Sequence, residues 1–264
     1  MSRPRLVATD LDGTLLSPDG TVSDRTRRVL QQLDAEGIPV VFVTGRPIRG
    51  MEMLWSDVGG HGLAICSNGG IVYDVTRREV RNALTVPRDL ALRVGETLRR
   101  AVPGTSFALE KTTGFAREAE FASRHPDSSG IPTGRLEAIF DDRVVKLLAL
   151  HDEIAPETYW RQARELVGEL VEVTWSSQWA LLEMSALGVT KASTLARLCV
   201  DLGIGPEEVV AFGDMPNDIA MLEWAGRSYA MAGGHEDVRR VAGDVAPGND
   251  EDGVAVVLSD LFGL

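Results

Sequence analysis

Four short stretches of this chain carry side chains that could do chemistry. The first, Asp10-Leu11-Asp12-Gly13-Thr14, directly follows the apolar run Leu6-Val7-Ala8-Thr9. On an extended backbone successive side chains alternate faces, so Asp10 and Asp12 are expected to point together while Leu11 turns to the core. Such a pair could bind a hard cation such as Mg2+, attack an electrophile, or move a proton. Asp-Gly is also ordinary turn chemistry, so this stretch alone leaves those readings open.

The second stretch, Thr44-Gly45-Arg46-Pro47, follows Val40-Val41-Phe42-Val43. A hydroxyl, a glycine and a helix start can offer Thr44 Oγ and backbone N–H groups to a phosphate, or can simply cap a helix. The third is Lys191, which follows Thr190 in the position of a first helical residue. A cation there opposes the helix dipole. Only Lys111, Lys146 and Lys191 are lysines among the 27 basic residues, so a lysine at an unfavourable position suggests anion binding. The fourth stretch is Gly213-Asp214-Met215-Pro216-Asn217-Asp218, again after an apolar run. Asp214 and Asp218 are close to helical i,i+4 spacing and can approach one site. Acids cluster at helix starts because the dipole favours them, which accounts for Asp218 but not for Asp214 at a strand end.

These stretches need elements to hold them. Strands at 6–9, 38–43 and 63–66 alternate with a helix over 23–36, which has Ser23 as N-cap and Gly37 past its end, and with a helix beginning at Pro47. That rhythm predicts a parallel sheet covered by helices on both faces, with ligand sites at the carboxyl ends of its strands. The pattern changes near residue 83. A helix over 88–101 precedes strands at 106–111 and 114–118, and a Ser/Pro/Gly-rich loop spans 125–134. A strand at 144–150, a helix over 157–169 and strands at 171–176 and 180–184 follow. Helix-strand-strand thus occurs twice, predicting an inserted α+β module with an antiparallel sheet. Alternation returns with a helix over 191–202, a strand at 209–212, a helix over 217–225 and a strand at 227–231. The expected organisation is one α/β domain, residues 1–82 and 186–264, interrupted by a module at 83–185.

Composition excludes several classes. The chain has 264 residues and 39 acidic against 27 basic side chains, a formal charge of -12. That surplus argues against nucleic-acid binding, which needs Lys and Arg patches. No stretch approaches the ~18–20 continuous apolar residues of a membrane helix, so no membrane partner is expected. Cys66 and Cys199 lie in apolar surroundings and are read as buried free thiols. The N-terminus runs straight into a strand without an apolar leader, so a reducing, cytoplasmic compartment is expected. His61, His125, His151 and His235 have no ligand-like spacing and are read as surface or packing residues. Trp175 and Trp179 are read as core residues of the inserted module, with a substrate-facing position as the alternative.

Taken together and in order, Asp10-x-Asp12-Gly-Thr, Thr44-Gly-Arg, Lys191 and Gly213-Asp214-x-x-Asn217-Asp218 resemble the motifs of haloacid dehalogenase superfamily phosphatases. The insertion between the second and third motifs, and Ser67-Asn68-Gly69-Gly70 after the third strand, resemble the Cof-type branch with its α/β cap. One departure is Ala232-Gly233-Gly234-His235, where relatives often carry Gly-Asn-Ala. The resemblance implies a Rossmann-like core, an inserted cap, and hydrolysis of a small phosphorylated metabolite with Mg2+. Asp10 would be the nucleophile, ionised at neutral pH without a helping base, and Asp12 the acid and base. Asp10, the Asp12 carbonyl, Asp214 and Asp218 would serve the metal, while Thr44, Gly45, Arg46, Lys191 and Asn217 would hold or border the phosphate. A phosphomutase and a catalytically silent metabolite-binding protein are the competing readings. A monomer or a homodimer would suit any of them.

Overall fold

The computed structural model describes residues 3–51, 54, 62–121, 130–176 and 179–264. They form two compact units, Met1–Asn82 with Thr190–Leu264, and Ala83–Val189. The expected loop over 125–134 lies partly outside the described residues, as do His61 and His125.

In chain order the first unit opens with β1 (Leu6–Thr9), α1 (Asp24–Ala35), β2 (Val40–Val43), β3 (Leu63–Cys66), β4 (Ile71–Asp74) and β5 (Glu79–Ala83). The second unit holds α2 (Arg88–Ala101), β6 (Ser106–Lys111), β7 (Gly114–Arg117), α3 (Leu136–Ile139), β8 (Val144–Leu150), α4 (Pro156–Val167), β9 (Val171–Thr174) and β10 (Leu181–Ala186). The chain then returns through α5 (Lys191–Leu202), β11 (Val209–Gly213), α6 (Ile219–Trp224), β12 (Arg227–Met231), α7 (Glu236–Val241), β13 (Asp244–Ala246) and α8 (Gly253–Phe262).

The first unit is built on an eight-stranded sheet of order β13-β12-β11-β1-β2-β3-β4-β5. From β13 to β3 every pairing is parallel. Chain order reverses between β1 and β11, so the first and the returning half of this unit meet at the centre of the sheet. Burial follows from composition: Leu6, Ala8, Val41, Val43, Val209 and Ala211 form one apolar cluster with Leu195 and Leu198 of α5, Met221 and Leu222 of α6 and Val238 of α7. The helix ends obey local chemistry. Ser23 Oγ accepts the Thr26 N–H at 3.0 Å, and Gly37 takes the left-handed turn beyond α1.

Two features differ from the sequence expectation. β4 runs antiparallel to β3, and with β5 it extends the parallel sheet at one edge. β5 is almost wholly exposed, so it lacks the apolar run that marks a buried strand. Pro47 does not start an α-helix: it precedes a 3-10 turn over Ile48–Gly50. The Gly50 and Met51 N–H groups donate to the Pro47 and Ile48 carbonyls, the i,i+3 pattern of that turn.

The second unit is a five-stranded sheet, β7-β6-β8-β10-β9, with antiparallel pairings throughout. One face carries Phe107, Leu109, Leu147, Ala149, Leu182 and Met184, which pack on Val94 and Leu98 of α2 and Tyr159 and Ala163 of α4. Trp175 packs partly against this core, as expected. Trp179 does not: it is 54% exposed. His151 is satisfied locally, with Nε2 donating to the Pro103 carbonyl at 3.1 Å and Nδ1 accepting the Glu153 N–H. Both cysteines are free and buried. Among the described residues no helix is long and apolar enough to cross a membrane.

Candidate active site

Every chemistry-bearing stretch of the first unit lies at the carboxyl end of a parallel strand or at the helix start beside it. The chain leaves β1 at Asp10, whose N–H donates to the Phe212 carbonyl of β11 at 3.0 Å. It then winds into a short helical turn over Leu11–Leu15, interrupted at Asp12 and at Gly13, which has φ +76°. A side chain at Gly13 would be strained by that backbone, and its Cβ would stand 2.3 Å from Asp214 Oδ2. The turn therefore requires glycine, and Thr14 closes it by donating to Asp214 Oδ1 at 2.9 Å.

This turn gives the two acids different partners and different exposure. Asp10 is 5% exposed and accepts from Lys191 Nζ at 2.7 Å through Oδ1. The Asp12 side chain is 57% exposed and accepts from Arg46, Nε to Oδ2 at 2.7 Å and Nη2 to Oδ1 at 2.5 Å. The fork geometry suits guanidinium and carboxylate, and it holds the Arg46 pKa above its ordinary value. Arg46 is thus both a neighbour of the site and an ion-pair partner.

Lys191 is the first residue of α5. Thr190 caps that helix by accepting the Ser193 N–H at 3.0 Å, while Ser193 Oγ accepts the Thr190 N–H at 3.0 Å. The lysine is no solvated surface residue. It is 2% exposed and donates to Asp10 Oδ1 and to Asp218 Oδ1, the latter at 2.6 Å. Burial works against its charge, yet attraction to Asp10 and Asp218 more than offsets this and raises its pKa.

Beyond β11, a 3-10 turn over Pro216–Asp218 brings Asp218 back toward the strand end. Asp218 Oδ2 accepts the N–H groups of Asp214 and Met215, each at 3.1 Å. The approach is so close that a Cβ at Gly213 would lie 2.5 Å from that of Asp218. The variant loop Ala232–His235 also serves this site, since the His235 N–H donates to the Asp214 carbonyl at 2.8 Å.

Asp10, Asp214 and Asp218 each offer a carboxylate oxygen within 4.8 Å of the other two. Burial, followed by repulsion from Asp218, pushes the Asp214 carboxyl up to about 6, with the Thr14 hydrogen bond opposing it. Burial also raises Asp10 well above its ordinary value, although Lys191 pulls the other way. Three acids converge with one lysine, and a donor set of carboxylate oxygens with surplus negative charge fits a hard divalent cation. The Asp12 carboxylate is not one of the three.

Thr44 is buried, and its Oγ accepts the Arg46 N–H at 3.0 Å, so the hydroxyl folds the Thr44-Gly45-Arg46 loop on itself. Asn217 Nδ2 donates to Asn68 Oδ1 at 3.1 Å. Asn68 and Thr14 were not singled out by side-chain type. Thr14 sits inside the first stretch, and Asn68 belongs to the turn after β3, so position at a strand end was the signal for both.

The description that fits this chain is haloacid dehalogenase-like hydrolase, which matches residues 7–258. The chain belongs to that family. It is 27% identical over 274 residues to the 5-amino-6-(5-phospho-D-ribitylamino)uracil phosphatase YitU of Bacillus subtilis (strain 168), covering 100% of this chain and 99% of that protein. It is 30% identical over 251 residues to YcsE of the same organism, a phosphatase of the same name, covering 95% and 93%. A solved haloacid dehalogenase-like hydrolase from Bacteroides thetaiotaomicron superposes with a TM-score of 0.79 at 26% identity, over 98% of this chain and 100% of that one. Within the family the chain is a Cof-type phosphatase.

Proposed function

We propose that this chain hydrolyses a small soluble phosphomonoester, a sugar phosphate or a similar metabolite, through an aspartyl-phosphate on Asp10. The observation that carries the reading is the buried Lys191, bonded at once to Asp10 and Asp218 beside Asp214. Names of the relatives above, phosphatases of a ribityl phosphate compound, support the substrate class.

Lys191 holds Asp10 Oδ1, and the second oxygen, Oδ2, attacks phosphorus. A bond forms from Oδ2 to phosphorus as the bond to the leaving oxygen breaks, and Asp12 gives that oxygen a proton. Arg46 holds both oxygens of an ionised Asp12, so Asp12 must first leave this partner and take up a proton from solvent before it can protonate the leaving oxygen, and the proton it later takes from water restores it for the next turnover. Asp12 then takes a proton from the water that attacks the acyl phosphate, releasing inorganic phosphate and free Asp10. Lys191, Asn217, Thr44 and the N–H groups of the Gly45-Arg46 loop hold the phosphoryl oxygens as charge shifts. Asp10, the Asp12 carbonyl, Asp214 and Asp218 would hold Mg2+, which when bound supplies the positive charge that lets an anion approach a carboxylate cluster. The inserted unit acts as the cap, residues 83–185 by sequence, and supplies selectivity.

A phosphate-release screen over some dozens of metabolites with Mg2+, ranked by kcat/KM, tests this reading. Release that stops with a chelator and returns with Mg2+ is expected. Exchange of phosphate between sugar positions without net release would indicate a phosphomutase, and stoichiometric binding without turnover a silent binder.

A further inference from the structure

The turn that closes β3 takes no part in the steps above, yet its conformation is costly. Ser67 and Asn68 are both buried, and both hold left-handed backbone, at φ +53° and +56°. Asn tolerates that region better than most residues, whereas Ser does so less readily. Ser67 Oγ is also buried without a hydrogen-bond partner. Strain of this kind persists only where the surroundings over-determine it. The determinants are visible: the Ser67 N–H donates to the Arg46 carbonyl at 2.9 Å and the Asn68 N–H to the Thr44 carbonyl at 3.0 Å. Thr194 Oγ1, one turn along α5 from Lys191, donates to the Gly69 carbonyl at 2.9 Å. The turn is therefore tied to the Thr44 loop and to the lysine helix, and it delivers one side chain, Asn68, to Asn217.

We propose that Asn68 is a positioning residue that sets which way the Asn217 amide faces. An amide side chain can present its NH2 or its oxygen, and the two ends have the same shape but opposite polarity. The Asn217 oxygen is buried and unpartnered, so no hydrogen bond on that side selects an orientation. The bond from Asn217 Nδ2 to Asn68 Oδ1 selects it, because the reversed amide would set oxygen against oxygen. Held this way, Asn217 uses one N–H on Asn68 and keeps the second for an anion. The inference rests on the reading that Asn217 contacts the phosphoryl group.

The test compares Asn68→Gly, Asn217→Ala and their double variant, with p-nitrophenyl phosphate as substrate and Mg2+ present. Glycine keeps the left-handed backbone and removes the carboxamide whose oxygen accepts from Asn217. Asn68→Gly is expected to lower kcat/KM and to weaken competitive inhibition by inorganic phosphate, each roughly tenfold, the worth of a well-made hydrogen bond. Its melting temperature should stay near that of the parent. In the Asn217→Ala background the same change should cost less than about twofold, since the residue it acts through is gone. Losses that multiply would show that Asn68 merely braces the turn, and an unchanged kcat/KM with unchanged phosphate inhibition would equally overturn the proposal. Should Asn68→Gly fail to fold, the side-chain 15N resonances of Asn217 in the unaltered protein decide the matter. Inorganic phosphate should shift them and slow exchange of one of the two protons, and no response would overturn the proposal. Asp10→Asn keeps the two readings apart: if it still turns over, the phosphatase mechanism fails, whereas if only it is dead, the positioning role fails alone.

Discussion

Lys191 and Lys146 are equally buried, each 2% exposed, and each donates to a carboxylate, but they stand in different kinds of surroundings. Lys191 lies beside the ends of the parallel strands β1 and β11, where loops converge and three aspartates crowd together. Lys146 lies within β8 of the antiparallel sheet, bonded to Glu183 of β10 at 2.8 Å, on the face opposite the helix-packed core. A strand end can gather acids from distant parts of the chain, since each parallel strand delivers its following loop to the same edge. A mid-strand position gathers only its cross-strand neighbours. Burial alone therefore does not mark a functional lysine. What sets Lys191 apart is the convergence of Asp10, Asp214 and Asp218 beside it, and the proposed reaction is placed there for that reason.

Four changes would break or sharpen that contrast. The largest effect should come from Asp10→Asn, which removes the nucleophile while keeping the shape. Steady-state turnover of p-nitrophenyl phosphate should fall by at least about a thousandfold, with the far-UV spectrum unchanged. Lys191→Met should follow, lowering kcat by roughly a hundred- to a thousandfold through loss of a preorganised cation. The matching change at the other lysine, Lys146→Met, should act on stability instead. It removes the cation bonded to the buried Glu183, at a cost of about 3–5 kcal/mol in urea unfolding, while the folded fraction turns over at a similar rate. A collapse of kcat with stability intact would move Lys146 into the reacting centre and dissolve the comparison. The smallest effect should be a pH slope. Asp214 is raised from 3.8 to about 6 in the folded chain, so the folded state binds the extra proton. The contribution of Asp214 to the stability of metal-free protein should accordingly be fully present below the ordinary carboxylate range, and roughly 1–3 kcal/mol of it should be lost as pH rises through about 6. Added Mg2+ should flatten that slope, because it favours the ionised carboxylates. Thermal melts across pH, with and without the cation, measure both.

Much of this site was legible before any coordinates, for a definite reason. An apolar four-residue run ending in Asp10, Thr44 or Asp214 locates a strand end from burial alone, and parallel topology then assembles those ends. The i,i+4 relation of Asp214 and Asp218 also survives, although a 3-10 turn, not an α-helix, brings them together. Side-chain direction after a strand end was less legible. Strand alternation put Asp10 and Asp12 together, but Gly13 lets the chain wind immediately, and the two acids find Lys191 and Arg46 instead. The stretch Ser67-Asn68-Gly69-Gly70 stood out only by resemblance, because spacing alone does not reveal the left-handed backbone that brings Asn68 to Asn217. The exposed Trp179 shows the limit of arguing burial from size, and β5 the limit of arguing strands from apolar runs.

The most direct test of the account is to trap the intermediate it requires. The protein is mixed with p-nitrophenyl phosphate and Mg2+, quenched in acid during turnover, treated with borohydride and digested for mass spectrometry. An aspartyl-phosphate is reduced to homoserine, so the account predicts that residue in place of Asp10, in the parent protein and not in Asp10→Asn. Modification at another carboxylate, or steady turnover with none trapped at Asp10, would contradict it.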